Sequence, residues 1–544
     1  MNKTRLIFVP GAHPTYMPLG IASLYAYLKG RMPHLDIQAA DLNIRLWNHI
    51  FESASPVSLA PSFFRGTIGD FFSEDLYRAY QKELSLFYSE FRGIEEGLKK
   101  FLSTGGMNDT VKGYNEFILK ELNPSGDETF ALSAMYPDQI VHMLVISSLL
   151  KKEFPEVNII TGGAALTAVD IDELMNAAPF IDAFYRGEGE EGLYMYFTGT
   201  PLSSIRGLSF RINGINIHNP SPAAIPMSEI PVPDFSFCSF NDYLNPEPVL
   251  PVVFSRGCRW RRCSFCSHNF SFAGYRTSGY SALTDKLAHY RELHGVSHFY
   301  FADQYIGADD LLEISRAILQ SGIDIRFHVM GRPTADYSNQ ILETAFSAGC
   351  RWISWGVESG SRELLNICGK GTKPCEVEEV LYRSADAGIS NLAMMIFGLP
   401  GTDSSRFQET LDFAGRVNGH VDAFTSSSFQ LFEGTPFFRN RETLGLELTG
   451  REVLAQAGEK EIHSFRWDYR IKSDSPEDSI HTTQSEVRQW KQWKSWVRGG
   501  ETFRETLGAE HYLLYSSRKA DSLSDDPEKP TTPSRPEPFM PKTG

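Results

Sequence analysis

Between residues 249 and about 435 the chain repeats a strand–helix unit: six strand candidates, with helical stretches opened by Ser or Asp between them. The strand candidates lie at 252–255, 298–302, 325–330, 352–357, 392–397 and 425–431, and helices are expected to start near Ser281, Asp309, Ser338, Ser361 and Asp403. Ser and Asp cap the free amides of a helix's first turn. Short strands alternating with helices predict a parallel sheet. Six such units predict a barrel or partial barrel, whose site forms in the loops at the carboxyl ends of the strands.

Residues 1–200 show a second α/β pattern. Strands are expected at 6–9, 36–40, 129–133, 158–161 and 183–185. Helices are expected at 20–29, with Ile21, Leu24, Tyr25 and Leu28 on one face, and at 137–153. This predicts a doubly wound, Rossmann-like domain that binds ligands at its carboxyl edge. Residues 46–124 interrupt it with aromatic-rich helical periodicity through Leu76, Tyr80, Leu84, Phe87 and Phe91. Those aromatics read as core; a lid over a cofactor or substrate is the functional alternative. Residues 201–248 are rich in Pro and Ser and read as a linker, with a hairpin-like piece at 207–218. The barrel is expected at 249–440, a small C-terminal region at 441–518 and a proline-rich disordered tail at 519–544.

The net charge of -15 argues against non-specific nucleic-acid binding. Arg256, Arg259, Arg261 and Arg262 leave a local basic groove, read either as a solvated loop or as charge compensation for an anionic cluster or substrate. No apolar stretch reaches the length of a membrane span. The apolar run at 6–9 ends at Pro10-Gly11, too soon for a signal peptide. Seven cysteines, three of them clustered, do not suggest a secreted disulfide framework, so a reducing cytoplasm is expected.

The clustered thiols, Cys258, Cys263 and Cys266, lie in Phe-Ser-Arg-Gly-Cys-Arg-Trp-Arg-Arg-Cys-Ser-Phe-Cys at 254–266, after the first apolar run of the barrel. Three readings compete with an iron–sulfur cluster: zinc with His268 as fourth ligand, buried structural thiols, and a redox pair from Cys263 and Cys266. Zinc sites usually take two separated ligand pairs, and no second pair is present. Three thiolates on a four-iron cluster would leave one iron open. The cluster is the favoured reading.

The loop resembles the cluster-binding loop of the radical S-adenosylmethionine (radical SAM) superfamily, Cys-x3-Cys-x2-Cys with an aromatic before the last cysteine, here Phe265. The first spacing departs, being x4. Phe-Ala-Asp-Gln at 301–304, Gly-Val-Glu-Ser-Gly-Ser at 356–361 and Phe-Gly-Leu-Pro-Gly at 397–401 resemble the same superfamily, in order, at strand ends. The resemblance implies a 4Fe-4S cluster on Cys258, Cys263 and Cys266. It implies S-adenosylmethionine contacts near Phe265, Asp303, Gly356, Glu358, Ser359 and Gly398. The implied chemistry is reductive cleavage of S-adenosylmethionine to a 5′-deoxyadenosyl radical.

The first domain resembles the cobalamin-binding domain of one branch of that superfamily. The resemblance rests on 18–24, 41–43, 162–164 and 187–190 and implies cofactor contacts at Pro18, Gly20, Gly162 and Gly163. The histidine signature that ligates cobalt elsewhere is absent; His13, in the first loop, is read as solvated. The fold expected is thus an α/β chain: a cobalamin-binding-like domain, a partial (β/α)6 TIM-type barrel and a small C-terminal region.

In that branch the commonest reaction is methylation of an unactivated carbon, here of a secondary metabolite, lipid or peptide, with flavodoxin or ferredoxin as electron donor. The alternatives are a radical cyclisation or rearrangement, a cobalamin-independent radical reaction, or a non-enzymatic iron–sulfur or zinc protein that binds a partner. Cys238, Cys350, Cys368 and Cys375 read as ordinary thiols.

Overall fold

The computed structural model describes residues 3–53, 58–268, 274–471, 483–497 and 508–524. The chain forms two compact units. One comprises 1–246, 270–276 and 451–466; the other comprises 247–269, 277–450 and 467–544.

The first unit is built on seven strands: β1 (Lys3–Phe8), β2 (Ile37–Asp41), β3 (Glu128–Ser133), β4 (Asn158–Gly162), β5 (Ala183–Tyr185), β6 (Leu208–Ile212) and β7 (Ile215–His218). Their order is β2-β1-β3-β4-β5-β6-β7, the first five parallel. The order 2-1-3-4-5 is doubly wound and reverses between β1 and β3, which opens a crevice at their carboxyl ends.

The expectation of a linker at 201–248 is corrected here. The hairpin β6–β7 adds antiparallel to β5 and completes the sheet. Its turn, Asn213-Gly214, takes φ 50° and 79°, the left-handed pair a two-residue hairpin turn requires.

The aromatic insertion is helical, and its aromatics are core as expected. The 31-residue helix Glu74–Thr104 buries Tyr77, Leu84, Phe87, Phe91 and Leu98. The buried stripe begins at Tyr77 rather than Leu76, which is 38 % exposed. Trp47 stacks on Phe91 with ring centroids 4.5 Å apart, and its Nε1 donates to Ala12 O at 2.9 Å.

The second unit carries β8 (Val249–Val252), the two-residue strands β9 (Ser255–Arg256) and β10 (Arg276–Thr277, its first residue counted with the other unit), then β11 (His298–Phe301), β12 (Arg326–Gly331), β13 (Cys350–Glu358), β14 (Ser390–Phe397) and β15 (Ala423–Ser428). Six of these form one all-parallel sheet, β8-β11-β12-β13-β14-β15, with β8 and β15 as its two edges. This is the partial barrel. Ser338 and Asp403 cap their helices through the side chain, accepting from the Ile341 and Arg406 amides.

Three expectations change in this unit. The helix after Ser361 stops at Ile367, and a second one, Pro374–Asp386, follows a break at 368–373. Gly369 and Gly371, at φ 63° and 68°, make that break, and Pro374 opens the next helix. Residues 519–524 continue the helix Ala509–Ser524, which packs on β11, β12 and β13; the rest of the proposed tail, 525–544, lies outside the described residues. Within 441–518 a long hairpin forms from β17 (Leu446–Ala457) and β18 (Lys460–Ile471), after the short β16 (Leu431–Phe432). Its tip, 451–466, belongs to the first unit: Glu173 accepts from the His463 amide at 2.8 Å and pairs with Arg451 at 3.1 Å.

Candidate functional site

The cysteine loop is fastened at its base. Asp303, at the end of β11, is 1 % exposed. It accepts from the Phe254 amide at 3.0 Å and from the Ser255 amide and hydroxyl, each at 2.5 Å. Burial pushes its carboxyl up to about 6, against those bonds and nearby Lys286. Lys286, brought down to about 8 by burial, donates to Val253 O at 3.1 Å. Asp303 thus spends both oxygens on the loop.

The middle of the loop is gripped by the helix break. Trp260 Nε1 donates to Gly369 O at 3.0 Å, and the Ser264 amide donates to Cys368 O at 2.8 Å. The Arg332 guanidinium lies 3.8 Å from the centre of the Trp260 ring, a cation–π contact. Gly371 leaves room for that ring, since a Cβ there would lie 2.4 Å from it. The extra residue of the x4 spacing is taken up beside Trp260: Arg261 stands at φ 52°, a left-handed turn. Phe265 is half-buried and packs against the apolar cluster of Cys368, Leu399, Phe429, Leu431, Phe437 and Leu446.

The three thiols are half-buried and free of disulfides. Burial pushes Cys263 up to about 11, with Lys370 pulling against it and Cys266, Glu358 and Cys258 adding to it. Cys266 is raised by burial and by Cys258, against a hydrogen bond from the His268 amide. The thiols therefore share one electrostatic neighbourhood. Among the described residues no three His, Cys, Asp or Glu side chains converge as they would on a single metal ion. Three cysteines in one loop, two of them within the electrostatic reach of Lys370, are the donor set a cluster takes as thiolates.

Glu358 ends β13 at φ 67°, where the register against β14 shifts after Gly356. Its Oε1 accepts from Lys370 Nζ at 2.6 Å. Both are buried, at 7 % exposure. Gly356 leaves room for the pair, since a Cβ there would sit 2.5 Å from Lys370 Nζ and displace the ammonium. Ser359 is engaged internally: its hydroxyl pairs with Thr410 Oγ1 at 2.9 Å and accepts from the Ser361 amide at 3.0 Å. The Gly398 amide donates to Glu486 Oε2 at 2.8 Å. The one loop carries Cys258, Cys263 and Cys266, with Glu358 acting on Cys263, while Asp303, Ser359, Gly398 and Phe265 hold the scaffold. Lys370, Trp260 and Arg332 were not singled out from sequence; the signal for the first was Gly-Lys-Gly-Thr-Lys-Pro at 369–374, which reads as a loop rather than a helix.

In the first unit the loops after β1 and β3 face the crevice. Asn43 Oδ1 braces the first by accepting from the Gly11 and Ala12 amides at 3.1 and 2.9 Å. Gln139 Oε1 braces the second by accepting from Met135 and Tyr136 at 2.7 and 3.0 Å. Tyr16 and Tyr136 approach to 6.3 Å, and Met135 is 49 % exposed. Pro18, buried, precedes the helix Leu19–Arg31, and Gly20 has open space where a Cβ would point. Gly162 ends β4, 3.5 Å from Tyr185 O by the same measure. Gly163 answers to packing: at φ 103°, its Cβ would meet Ala134 O at 2.2 Å. His13 is held rather than solvated, with Nδ1 2.8 Å from Thr15 Oγ1 and Nε2 2.5 Å from Tyr88 Oη.

Residues 252–414 match the family model of the radical SAM superfamily. The chain carries a radical SAM domain. It is 27 % identical over 319 residues to an uncharacterized methyltransferase of Pyrococcus horikoshii, covering 57 % of this chain and 68 % of that protein. It is 25 % identical over 343 residues to the anaerobic magnesium-protoporphyrin IX monomethyl ester cyclase of Rubrivivax gelatinosus, covering 58 % and 60 %.

The fold follows two solved structures. OxsB, a cobalamin-dependent radical SAM enzyme solved with aqua-cobalamin and S-adenosylmethionine, aligns at TM-score 0.63 and 16 % identity, covering 91 % of this chain and 66 % of OxsB. TsrM of Kitasatospora setae, a radical SAM methyltransferase solved with cobalamin and a 4Fe-4S cluster, aligns at TM-score 0.64 and 13 % identity, covering 96 % and 100 %. The superfamily's cofactors are a 4Fe-4S cluster and S-adenosylmethionine, and the cysteine loop has the donor set for the first. Among the described residues no helix is long and apolar enough to cross a membrane.

Proposed function

We propose that this chain is a cobalamin-dependent radical SAM enzyme that methylates an unactivated carbon of a small molecule or peptide. Cys258, Cys263 and Cys266 would hold the cluster, three thiolates where four are usual. What supports this most is the three-thiol loop of a radical SAM domain in a chain whose fold follows a cobalamin-binding methyltransferase over 96 % of its length.

When bound, the cluster supplies the electron that breaks the sulfonium bond and cobalamin carries the methyl group. This chain's residues do the holding. Asp303 and Ser255 fix the start of the loop, Trp260 fixes its middle, and Glu358 presents a buried carboxylate to an amino or ribose group. Gly356 leaves the space at the strand end that Lys370 Nζ and Glu358 Oε1 occupy. In the first unit, Pro18, Gly20, Gly162 and Gly163 shape the carboxyl edge for cobalamin. Both His13 nitrogens are engaged by side chains of this unit, Thr15 and Tyr88. A ferredoxin or flavodoxin would supply electrons.

The likeness to the Rubrivivax cyclase favours a second reading, radical ring closure without methyl transfer. Anaerobic reconstitution with iron, sulfide and hydroxocobalamin separates the two. Retained stoichiometric cobalamin, with both 5′-deoxyadenosine and S-adenosylhomocysteine formed, supports methylation. A cluster with 5′-deoxyadenosine alone and no retained cobalamin supports the second. A protein that binds zinc but no iron under these conditions overturns both.

A further inference from the structure

A cavity of about 430 Å³ lies within the aromatic insertion, apart from every residue assigned to a cofactor. Three helices wall it: Leu42–Ser53, Glu74–Thr104 and Asp109–Leu122. All three belong to the first unit. The volume is in the range of small-molecule sites.

Its floor is apolar and already formed. Leu46, Ile50, Tyr114 and Phe117 line it and are buried. The Tyr114 ring is held from behind, with its hydroxyl 2.8 Å from His142 Nδ1. Phe117 stacks with the His49 imidazole, ring centroids 5.0 Å apart. A ligand that settles on such a floor has little to order.

Two glycines widen the cavity. Gly93 stands inside the 31-residue helix and Gly113 inside the shorter one that follows. Glycine weakens a helix interior relative to alanine. A Cβ at either position would meet nothing within 4 Å. No contact within the protein therefore accounts for the missing side chains, and both glycines line the cavity. Gly97, one turn beyond Gly93, instead packs on the neighbouring helix, where its Cβ would lie 3.6 Å from Thr110.

The fixed charge at the mouth has one sign. Glu90 and Asp109 line it, and no Lys or Arg does. Asp109 is answered by Lys112 at 3.1 Å. Glu90 pairs with no cation among the described residues. Aromatic rings beneath a carboxylate favour an organic cation, which gains from both.

We propose that this cavity binds a small organic cation, an ammonium carried on an apolar, ring-sized body. The body lies on Tyr114 and Phe117 in the space that Gly93 and Gly113 leave, and the charge meets Glu90. The site is independent of the reaction proposed above, because no cluster or cobalamin contact takes part in it.

The test uses the full-length chain and three probes that share an indole and differ in the head group: tryptamine, tryptophol and indole-3-propionate. Isothermal titration calorimetry gives affinity and stoichiometry. Tryptamine should bind at one per chain. Tryptophol should bind about fivefold more weakly, and indole-3-propionate more weakly still. The difference should shrink at high salt. Glu90→Gln should bring tryptamine to the level of tryptophol and leave tryptophol unmoved. Gly93→Leu and Gly113→Leu fill the space and should weaken tryptamine about tenfold or more. Their melting temperature should hold or rise, since leucine is the better helix former. If a leucine variant does not fold, Glu90→Gln and the three probes decide the matter.

Equal affinity for the three probes overturns the proposal, as does tryptamine binding that persists in a folded leucine variant. A wild type that binds neither tryptamine nor n-hexylamine overturns it too. A wild type that dimerises in sedimentation velocity, beside a Gly113→Leu variant that stays monomeric, would give the cavity to a second copy of this chain and overturn the small-molecule assignment.

Discussion

Ser255 gives Asp303 two hydrogen bonds at once, its amide and its hydroxyl each 2.5 Å from the same carboxylate oxygen. The other oxygen takes the Phe254 amide at 3.0 Å. A buried carboxylate at the end of β11 thus sets where the cysteine loop leaves β8. Asp303→Ala strands three donors and should cost about 2–4 kcal/mol; Ser255→Ala removes one and should cost about 1 kcal/mol. Denaturant melts measure the cost, and iron retained after reconstitution should fall further in the first variant than in the second. Wild-type stability and iron content in Asp303→Ala would show that the anchor is dispensable.

Arg261 carries the strain of the long first spacing, at φ 52°. Glycine takes that conformation without penalty, and a β-branched residue takes it badly. Arg261→Gly should raise stability by about 0.5–1 kcal/mol. Arg261→Val should lower it, and cluster content should be unchanged in the glycine variant. A glycine variant that binds less iron would mean that the arginine itself serves the cluster.

The barrel was legible because its local signals agree. Each strand end carries Gly, Ser or Asp where a turn and a helix cap are needed, and observed strand limits fall within about four residues of the expected ones, as boundary readings do. The cysteine loop stood out by its three clustered thiols at a strand end, although its first spacing is x4. Lys370 was not, because a helix was expected to run past Ser361, and only its short length, Arg362–Ile367, exposes the break. The hairpin β6–β7 was legible at 207–218, with Asn213-Gly214 as its turn, but its place at the sheet edge was not, because its surroundings are rich in Pro and Ser and read as linker. The role of Asp303 was hidden for another reason: its partners are backbone amides 48 and 49 residues away, which no sequence pattern records.

His328 is fully buried on β12, with its ring 4.0 Å from Trp352 and 4.5 Å from Tyr300. Burial holds its pKa down to about 3. The unfolded chain takes up a proton near the ordinary histidine value while the folded one refuses it, so stability present above about pH 6.5 is lost as the pH falls toward 3. His328→Phe keeps the ring stack and gives up only the 3.0 Å contact with Ser354 Oγ. It should be less acid-sensitive, flattening stability between about pH 6 and 4 by roughly 2–3 kcal/mol. Equal acid slopes in wild type and variant would place the titrating group elsewhere.

Glu486 behaves in the opposite sense. It comes from the helix Thr483–Val497, is 4 % exposed, and takes the Gly398 amide at 2.8 Å. Burial raises its carboxyl to about 7, against that hydrogen bond. Between the ordinary value of 4.5 and about 7 the folded protein keeps a proton that the unfolded chain has released. The unfolded state therefore binds fewer protons in that window, and stability falls as the pH rises through it. Glu486→Gln retains an acceptor for the Gly398 amide and has nothing to titrate. Its stability at pH 8, relative to pH 5, should exceed that of wild type by about 2–3 kcal/mol. Since Gly398 closes β14 in the expected cofactor region, the same pair of variants should differ in S-adenosylmethionine affinity at pH 8 and converge near pH 5. A wild type as stable at pH 8 as at pH 5, matching the glutamine variant at both, would mean that Glu486 meets water in solution and does not brace the turn.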